Sequence, residues 1–211
     1  MYWNVIDDNR KDILKKLTNG IKLKNYYMAG GTALALQMGT RESFDFDFFV
    51  MEKFDTSVLA QELEKIGELN VTYISESTLH CILHGVQLTF LYFPNSLVDE
   101  LVEVENFDNL FLASIRDIAV MKLVAISQRG TKKDFFDLYN ICKTFNYSVN
   151  DIFKLLDIKY EKEKLNYFHI AKSLVYFEDA EDEILPKTYV DIDWLDVKKF
   201  YMEEIKKIDL L

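Results

Sequence analysis

The feature that most constrains the fold of this chain is a glycine turn followed by two closely spaced aspartates. The turn is Gly30-Gly31, and the aspartates are Asp45 and Asp47. A glycine turn that opens a helix presents free backbone N–H groups and the helix dipole to an anion. Carboxylates two positions apart on a strand point to the same face and suit a cation. The pattern therefore predicts a strand–turn–helix–strand unit with an anion site and a cation site on one short stretch of chain.

The residues around the glycines predict where this strand and helix lie. The apolar run 26–29 is typical of a buried strand, and 32–38, which begins at Thr32, is rich in good helix formers. Gly39 stands where a C-terminal cap belongs. The absence of side chains at the two glycines would let a triphosphate approach the backbone closely. The alternative is a tight strand-to-helix turn with no ligand, which a lone Gly-Gly-Thr pattern favours.

The aspartates lie in the segment 43–50, whose aromatic content predicts a strand. Alternation puts Asp45 and Asp47 on one face, and the other face is expected to carry Phe44, Phe46, Phe48 and Val50. Two carboxylates on one side repel each other unless a cation or a proton lies between them. The apolar neighbours predict a mostly buried strand, and Mg²⁺ suits such a carboxylate pair. The alternative is a solvated edge strand.

A helix further along the chain carries one buried charge. The segment 118–126 is apolar nearly all round, which predicts a buried helix, and Ser114 with an acid three residues on has the form of its start. Lys122 is the only charge in the segment. A buried ammonium group requires an anion, either an internal carboxylate or a bound phosphate. Arg129 lies two turns further along the same face.

Two acids follow at the start of the next helix. Gly130 ends the preceding helix, and the segment 132–139 begins another. Asp134 and Asp137 are three residues apart, so they share a face near the helix N-terminus, where the dipole favours acids. A structural lysine–aspartate pair without a ligand is the alternative to a binding site here.

These motifs, taken in order, resemble the AbiEii/AbiGii-type nucleotidyltransferases, a family that includes toxins of bacterial abortive-infection and toxin–antitoxin systems. The first motif is the glycine turn with its helix, 30–36, and the second is 41–49, in which Arg41 and Ser43 precede the aspartates. The third spans 122–138. The resemblance implies an α+β fold: a DNA polymerase β-like nucleotidyltransferase core, with a mixed sheet and helices, followed by a mostly helical C-terminal half.

The resemblance also implies roles for individual residues. Asp45 and Asp47 would hold Mg²⁺, with Mn²⁺ as an alternative ion. The nucleoside triphosphate (NTP) would be bound by Gly30, Gly31, Thr32, Arg41, Ser43, Lys122 and Arg129. The catalytic set would be Asp45, Asp47, Lys122 and Asp134. In that set Asp134 would act on the acceptor or as a base, whereas Asp137 would brace Lys122 or Arg129.

The implied activity is Mg²⁺-dependent transfer of a nucleoside monophosphate from an NTP to an acceptor hydroxyl. The acceptor would be RNA, such as tRNA, or protein, and a cognate antitoxin would be a partner. Two alternatives stay open. One is a noncatalytic nucleotide-binding relative that acts through a protein partner, and the other is an enzyme that modifies a small molecule of the aminoglycoside kind.

Two positions depart from the family pattern. Many members carry Gly-His-Arg ahead of the aspartates, whereas this chain has Gly39-Thr40-Arg41. Polymerase β-like enzymes usually bring a third carboxylate from a later strand. The corresponding strand here is 85–93, and Thr89 lies near the expected position. This departure makes Asp134 a candidate for the missing basic group.

Length and composition indicate one compact body with two lobes. The chain has 211 residues, 49% of them hydrophobic, and we expect a nucleotidyltransferase core over 1–95. A helical lobe over 96–211 would complete the active-site cleft. The net charge of −10 argues against a large nonspecific grip on nucleic acid. The sequence shows neither a membrane span nor a cleavable signal, which favours the cytoplasm.

The remaining elements follow from hydrophobic periodicity. We expect a helix over 56–66, with a core stripe that includes Leu59, and then three consecutive antiparallel strands and mostly helices from Leu97 onward. His80 and His84 are expected on one strand face, where a zinc site lacks a third ligand. Cys81 and Cys142 fit buried, reduced thiols. The predicted strands are 71–74, 79–84 and 86–93; the predicted later helices are 151–156, 164–177 and 194–208, with an acidic loop at 178–183.

Overall fold

A computed structural model describes residues 1–21 and 23–209 of the chain, which divide into two compact units. The first unit comprises 1–94 and 100–114, and the second comprises 95–99 and 115–211. The first contains a mixed sheet with helices, and the second is helical among its described residues. The α+β fold with a sheet-bearing N-terminal part and a helical C-terminal part is therefore confirmed.

The sheet of the first unit has seven strands in the order β3-β4-β5-β2-β1-β7-β6. The pairs β1–β7 and β2–β5 are parallel, and the other neighbouring pairs are antiparallel. The strand bounds are β1 Tyr26–Ala29, β2 Asp45–Val50, β3 Leu69–Ile74, β4 Thr78–Leu83, β5 Val86–Tyr92, β6 Val102–Glu103 and β7 Phe111–Leu112.

Three α-helices belong to the first unit, namely α1 Asp8–Gly20, α2 Gly30–Met38 and α3 Thr56–Glu64. The helix α2 follows β1 without a loop and ends at Gly39, whose φ of 68° is the left-handed conformation expected of a C-terminal cap. Asp55 caps α3 by accepting hydrogen bonds from the backbone N–H groups of Ser57 and Val58. The predicted strand–turn–helix–strand unit is thus confirmed.

The strand β2 lies inside the sheet, between β5 and β1, so the solvated edge strand is the wrong alternative. Its alternation is as predicted, because Phe46, Phe48 and Val50 are buried and the intervening residues are only half-buried. Phe44 was wrongly expected in the buried row. It precedes the strand and is 48% exposed, with the Arg10 guanidinium 5.0 Å from its ring centroid.

The strands β3, β4 and β5 form the expected antiparallel meander. Its second turn is made by His84 and Gly85, which have φ values of 47° and 79°. The expectation that His84 shares a strand face with His80 is therefore wrong, because His84 belongs to the turn. The Nε2 atom of His84 packs so closely against Gly67 that a Cβ there would lie 1.8 Å from it.

The second unit contains α4 Ile115–Gln128, α5 Lys132–Phe145, α6 Val149–Lys154, α7 Leu156–Lys159, α8 Tyr167–Ser173, α9 Glu178–Glu181 and α10 Trp194–Glu204. The helix predicted over 164–177 is shorter than expected, because the Asn166 side chain caps its start by accepting from the backbone N–H of His169. The predicted acidic loop contains the short α9, in which three acids occupy the favoured first turn.

The segment after Leu97 is mostly helical, as expected, but it also contains two short strands that were not predicted. Residues 100–114 return to the first unit and contribute β6 and β7 to its sheet. These strands have two residues each, which is too short for a periodic pattern to predict. Cys81 and Cys142 are buried free thiols, as expected. Within the described ranges, no helix has both the length and the apolarity that a membrane crossing requires.

Candidate active site

The glycine turn brings a carboxylate of β2 against the start of α2. Gly30 adopts a φ of 73°, which favours glycine, and a Cβ at this position would lie 2.7 Å from Asp47 Oδ2. Strand pairing accounts for this closeness, because Ala29, the last residue of β1, is paired with Asp47. Gly30 is therefore needed for both its backbone conformation and the space that it leaves beside the carboxylate.

The second glycine lies beside a buried cation. A Cβ at Gly31 would stand 2.8 Å from Arg41 Nη2 and 3.3 Å from Ser43 Oγ. Arg41 is buried, and its Nη1 donates to the backbone carbonyl of Glu42 over 2.9 Å. A guanidinium remains charged in such surroundings, so it adds positive potential beside a helix N-terminus. The turn thus has the electrostatic character of an anion site.

Two hydroxyl groups fix the approach to β2. Thr32 Oγ1 donates to the backbone carbonyl of Asp45 and lies 2.8 Å from Ser43 Oγ. Both hydroxyl-bearing residues are buried. This network holds the segment that leads into β2 against the first turn of α2. Thr32 and Ser43 therefore position the aspartates relative to the glycine turn.

The carboxylates Asp45 and Asp47 are half-buried on the more exposed face of β2. Among the described residues, no group of three or more His, Cys, Asp or Glu side chains is arranged to hold a metal ion. Mg²⁺ does not need such a protein cage, because it commonly takes one or two carboxylates together with waters and substrate phosphates. Two carboxylates beside a glycine turn fit this requirement.

The departure at Thr89 can be placed within the sheet. Thr89 on β5 is paired with Asp47 on β2, so it lies beside the carboxylate on the same face. Its Oγ1 is 3.1 Å from Nδ1 of His80, which is paired with Thr89 across β4 and β5. His80 was not predicted to belong to this site. The sequence carried no sufficient signal for it, because His80 is placed beside Thr89 by the register of the β4–β5 hairpin, whose turn is made by His84 and Gly85.

In the second unit Lys122 lies at the centre of a buried ionic cluster. Its Nζ is 2.9 Å from Asp134 Oδ1 and 2.6 Å from Asp137 Oδ2, and all three residues are buried. The lysine of α4 therefore meets internal carboxylates of α5, which was one of the two alternatives left open by the sequence. The shared helix face predicted for Asp134 and Asp137 explains why one ammonium group contacts both.

Further donors converge on Asp134. Arg129 donates from Nε to Oδ2 over 2.8 Å and from Nη2 to Oδ1 over 3.0 Å, and Thr131 Oγ1 donates over 2.6 Å. Burial alone would raise the pKa of Asp134, but Lys122, Arg129 and Thr131 together hold the pKa well below its ordinary value of 3.8. Such a carboxylate stays ionised and is poorly suited to accept a proton, so the geometry weighs against its predicted role as a base.

The Arg129 side chain also borders a cavity of about 420 Å³ in the second unit. The side chain is 56% exposed although its guanidinium is bound to the buried Asp134. The opposite wall of the cavity is formed by α8 and the residues after it, including His169, Lys172 and Tyr176. His169 Nε2 lies 3.0 Å from the backbone carbonyl of Ser127. None of these three residues was predicted from the sequence to line a cavity.

A second buried ion pair was also missed. Lys159 Nζ is 2.7 Å from Asp117 Oδ1, and both side chains are completely buried. The same carboxylate accepts hydrogen bonds from the backbone N–H groups of Val98 and Asp99. The sequence suggested a helix-capping role for Asp117. The structure shows that it also attaches the segment 95–99 to the second unit.

The mixed sheet, the glycine turn and the strand carboxylates are the features expected from the resemblance to nucleotidyltransferases. A crystal structure of a candidate nucleotidyltransferase from H. pylori shares the fold, with a TM-score of 0.54 and 17% identity over 94% of this chain and 92% of that one. A crystal structure of the Megavirus polyadenylate synthase gives a TM-score of 0.46 and 14% identity, over 73% of this chain and 38% of that one.

Sequence comparison identifies the family. The family model of the nucleotidyl transferase AbiEii toxin, type IV toxin–antitoxin system, matches residues 92–208. An uncharacterized protein of Aquifex aeolicus (strain VF5) is 36% identical over 204 residues, which cover 95% of each chain. The chain belongs to the AbiEii nucleotidyltransferase toxin family and is a nucleotidyltransferase, as the resemblance in its motifs implied.

Proposed function

We propose that this protein transfers a nucleoside monophosphate from an NTP to an acceptor hydroxyl in a Mg²⁺-dependent reaction. The observation that carries the proposal is the convergence at the glycine turn. The Asp47 carboxylate lies against Gly30, and the Arg41 guanidinium lies against Gly31. An anionic substrate would be attracted to the helix N-terminus and the Arg41 guanidinium, and a cation would bridge the substrate to the carboxylates.

Asp45 and Asp47 would hold Mg²⁺, with Mn²⁺ as the alternative ion. When bound, such an ion neutralises phosphate charge and orients the substrate for in-line displacement. The backbone N–H groups at the start of α2 and the Arg41 guanidinium would bind the phosphates. The proximity of Asp47 to this turn limits the position that the phosphates can take. Most of the rate acceleration would then come from positioning and electrostatics.

In the transfer step the acceptor oxygen attacks the α-phosphorus, and the bond from that phosphorus to the bridging oxygen breaks. The electron pair of the broken bond leaves with pyrophosphate, whose growing charge Arg41 would stabilise. The family resemblance assigns phosphate contacts to Lys122 and Arg129 as well. The half-exposed side chain of Arg129 supports this assignment. Lys122 would act indirectly, by neutralising the charges of Asp134 and Asp137.

Asp134 would serve as a positioning residue rather than as the base. Its two oxygens receive Arg129, Lys122 and Thr131, and this bidentate contact fixes the plane of the Arg129 guanidinium. Asp137 completes the neutralisation of Lys122. This division of roles keeps Asp134 in the functional set but changes the chemistry that the sequence assigned to it.

The family membership implies a cognate antitoxin and an NTP substrate. We propose RNA, such as tRNA, or protein as the acceptor and the cytoplasm as the place of action. The net charge of −10 disfavours extended nonspecific contact with a nucleic-acid backbone, so an RNA acceptor would be bound locally. The absence of a carboxylate at Thr89 favours, as the second candidate, a noncatalytic relative that binds nucleotides and acts through a partner.

The test is transfer of radioactive label from each α-labelled NTP, with Mg²⁺, to total RNA, total protein and a cationic aminoglycoside. Wild type is compared with Asp47→Asn and with Glu52→Gln, which alters an exposed carboxylate just beyond β2. We expect labelled product with wild type and Glu52→Gln only. NTP binding without label in any acceptor would instead establish the noncatalytic candidate. Label in the aminoglycoside alone would overturn the macromolecular acceptor.

A further inference from the structure

The sheet carries a polar row that connects the carboxylates of β2 to a histidine two strands away. Asp47 is paired with Thr89, and Thr89 is paired with His80. All three occupy the half-exposed positions of strands whose alternate residues are buried, so their side chains share one face. Neighbouring strands are about 4.8 Å apart, which places the Thr89 hydroxyl beside the carboxylate site and His80 one strand further.

The Thr89 hydroxyl is held in a defined direction by that histidine. His80 Nδ1 lies 3.1 Å from Thr89 Oγ1, which is hydrogen-bond distance. A hydroxyl group both donates one hydrogen bond and accepts others. Thr89 can therefore donate to His80 while its oxygen accepts a hydrogen bond from a third group on the open face. That third group would lie next to Asp47.

We propose that Thr89 and His80 form the proton-accepting pair of the transfer reaction and replace the third strand carboxylate. This inference rests on the proposed function. Thr89 contacts the acceptor hydroxyl, and His80 receives the proton through Thr89. Histidine is the side chain best suited to exchange protons near neutral pH, whereas the alternative base, Asp134, is held ionised by three donors.

In the transfer step two protons move in sequence, from the acceptor to Thr89 and from Thr89 to His80. As the acceptor oxygen forms its bond to the α-phosphorus, its proton moves to Thr89 Oγ1. The original hydroxyl proton of Thr89 moves to His80 Nδ1, so the imidazole becomes an imidazolium and Thr89 remains neutral. The phosphorus–oxygen bond to pyrophosphate breaks, and its electron pair leaves with pyrophosphate. The imidazolium then returns a proton to water.

The surroundings of His80 are compatible with a proton acceptor. On β3 its paired residue is Tyr73, whose ring centroid is 5.6 Å from that of His80. On β5 the residues of the same face flanking Thr89 are Gln87 and Leu91, which carry no charge. Among the described strand residues of that face on β2, β3, β4 and β5, the charged groups are Asp45 and Asp47 on β2, which is separated from β4 by β5.

The test separates proton acceptance from structural support. His80→Gln and Thr89→Val are compared with Thr89→Ser, which keeps the hydroxyl, and with His84→Asn, a matched change in the β4–β5 turn where asparagine tolerates positive φ. We expect the first two to lower kcat for label transfer by at least about 100-fold. They should leave the Kd for NTP within about twofold and change the dependence of kcat on pH relative to wild type. Thr89→Ser, which keeps the hydroxyl, should retain more activity than Thr89→Val, and His84→Asn should behave as wild type.

A rescue variant guards against a merely structural explanation. Thr89→Asp introduces a carboxylate at the position next to Asp47, so the double variant Thr89→Asp/His80→Gln should regain at least about tenfold of the lost kcat. Transfer that persists in His80→Gln with the wild-type pH profile would overturn this inference alone. A wild-type protein that transfers no label would overturn both this inference and the proposed function, and the two outcomes are distinguished by the wild-type reaction.

Discussion

Two pairs of aspartates, one in each unit, show how the same residue type serves different purposes. Asp45 and Asp47 are half-buried on a sheet face beside a glycine turn, whereas Asp134 and Asp137 are fully buried on α5 around Lys122. The helical pair has its counterion within the fold. The strand pair adjoins the glycine turn, and we propose that it binds a cation that arrives with the substrate. The surroundings of an acid pair, rather than its spacing, therefore determine whether it suits an internal ion pair or a bound cation.

The two pairs also differ in what they contribute to stability. A buried ion pair costs much of its attraction in desolvation, but removing one partner leaves an uncompensated charge. The cluster on α5 is therefore expected to respond to mutation mainly through folding. The strand pair is expected to respond mainly through activity, because its carboxylates are half-buried and less desolvated than those of the cluster on α5.

The comparison is tested most severely by Asp47→Asn, which removes one charge from the strand pair. We expect label transfer to fall by at least about 1,000-fold, because the carboxylate contact to the cation–phosphate complex is lost. The thermal midpoint should change less than in variants of the buried cluster, because Asp47 is half-buried. Transfer assays and thermal unfolding measure the two effects, and near-full activity in this variant would remove the strand pair from the site.

The opposite response is expected from Lys122→Met, which leaves two carboxylates buried without their ammonium group. We expect a loss of about 3–5 kcal/mol in the free energy of unfolding, measured in urea. The triple variant with Asp134→Asn and Asp137→Asn as well should recover part of this loss. A stability close to wild type in Lys122→Met would show that the cluster is not a structural counterpart to the strand pair.

Gly30→Ala sharpens the assignment of the glycine turn, and Gly85→Ala is its matched control. Both glycines have positive φ, but a Cβ at Gly85 meets nothing within 4 Å, whereas one at Gly30 would press on Asp47. Both variants should lose about 1 kcal/mol of stability through backbone strain. In titrations with Mg²⁺ and NTP, Gly30→Ala alone should also weaken binding, by about tenfold or more. Equal binding by the two variants would contradict the role of the turn.

The smallest expected effect concerns pH. The pKa of Asp134 in the folded protein lies below its ordinary value of 3.8, so the folded state holds this carboxylate ionised where the unfolded chain begins to protonate it. Its stabilisation is therefore complete above about pH 5 and is lost as the pH falls below about 4. The free energy of unfolding, measured with a denaturant between pH 3 and pH 6, should depend less steeply on pH in Asp134→Asn than in wild type. An identical pH dependence in the two proteins would contradict the lowered pKa of Asp134.

The local structure around the candidate site could be predicted from the sequence. The alternation of β2, the cap at Gly39 and the shared face of Asp134 and Asp137 depend on the periods of strands and helices, which a sequence displays directly. The glycine turn was predictable for the same reason. Its closeness to Asp47 follows from antiparallel pairing of β1 and β2, which the short connection between α2 and β2 allows but does not dictate.

What the sequence could not supply are contacts that depend on register and on distant pairing. The partner of Lys122 was left open because a helix period fixes a face but not what that face meets. Lys159 is paired with Asp117 across 42 positions, and no local pattern signals such a contact. The proximity of His80 to Thr89 required the register of the β4–β5 hairpin. A one-residue slip would have put His80 on the other face.

The most direct test of the central claim is Mn²⁺ binding in the presence of NTP, followed by electron paramagnetic resonance. Wild type is compared with Asp47→Asn and with Asp137→Asn, which changes the helical pair instead. The account predicts that Asp137→Asn, where it folds, retains the nucleotide-dependent Mn²⁺ signal of wild type, whereas Asp47→Asn loses it. Retention of the signal by Asp47→Asn with loss in folded Asp137→Asn would place the metal at the helical pair and contradict the account.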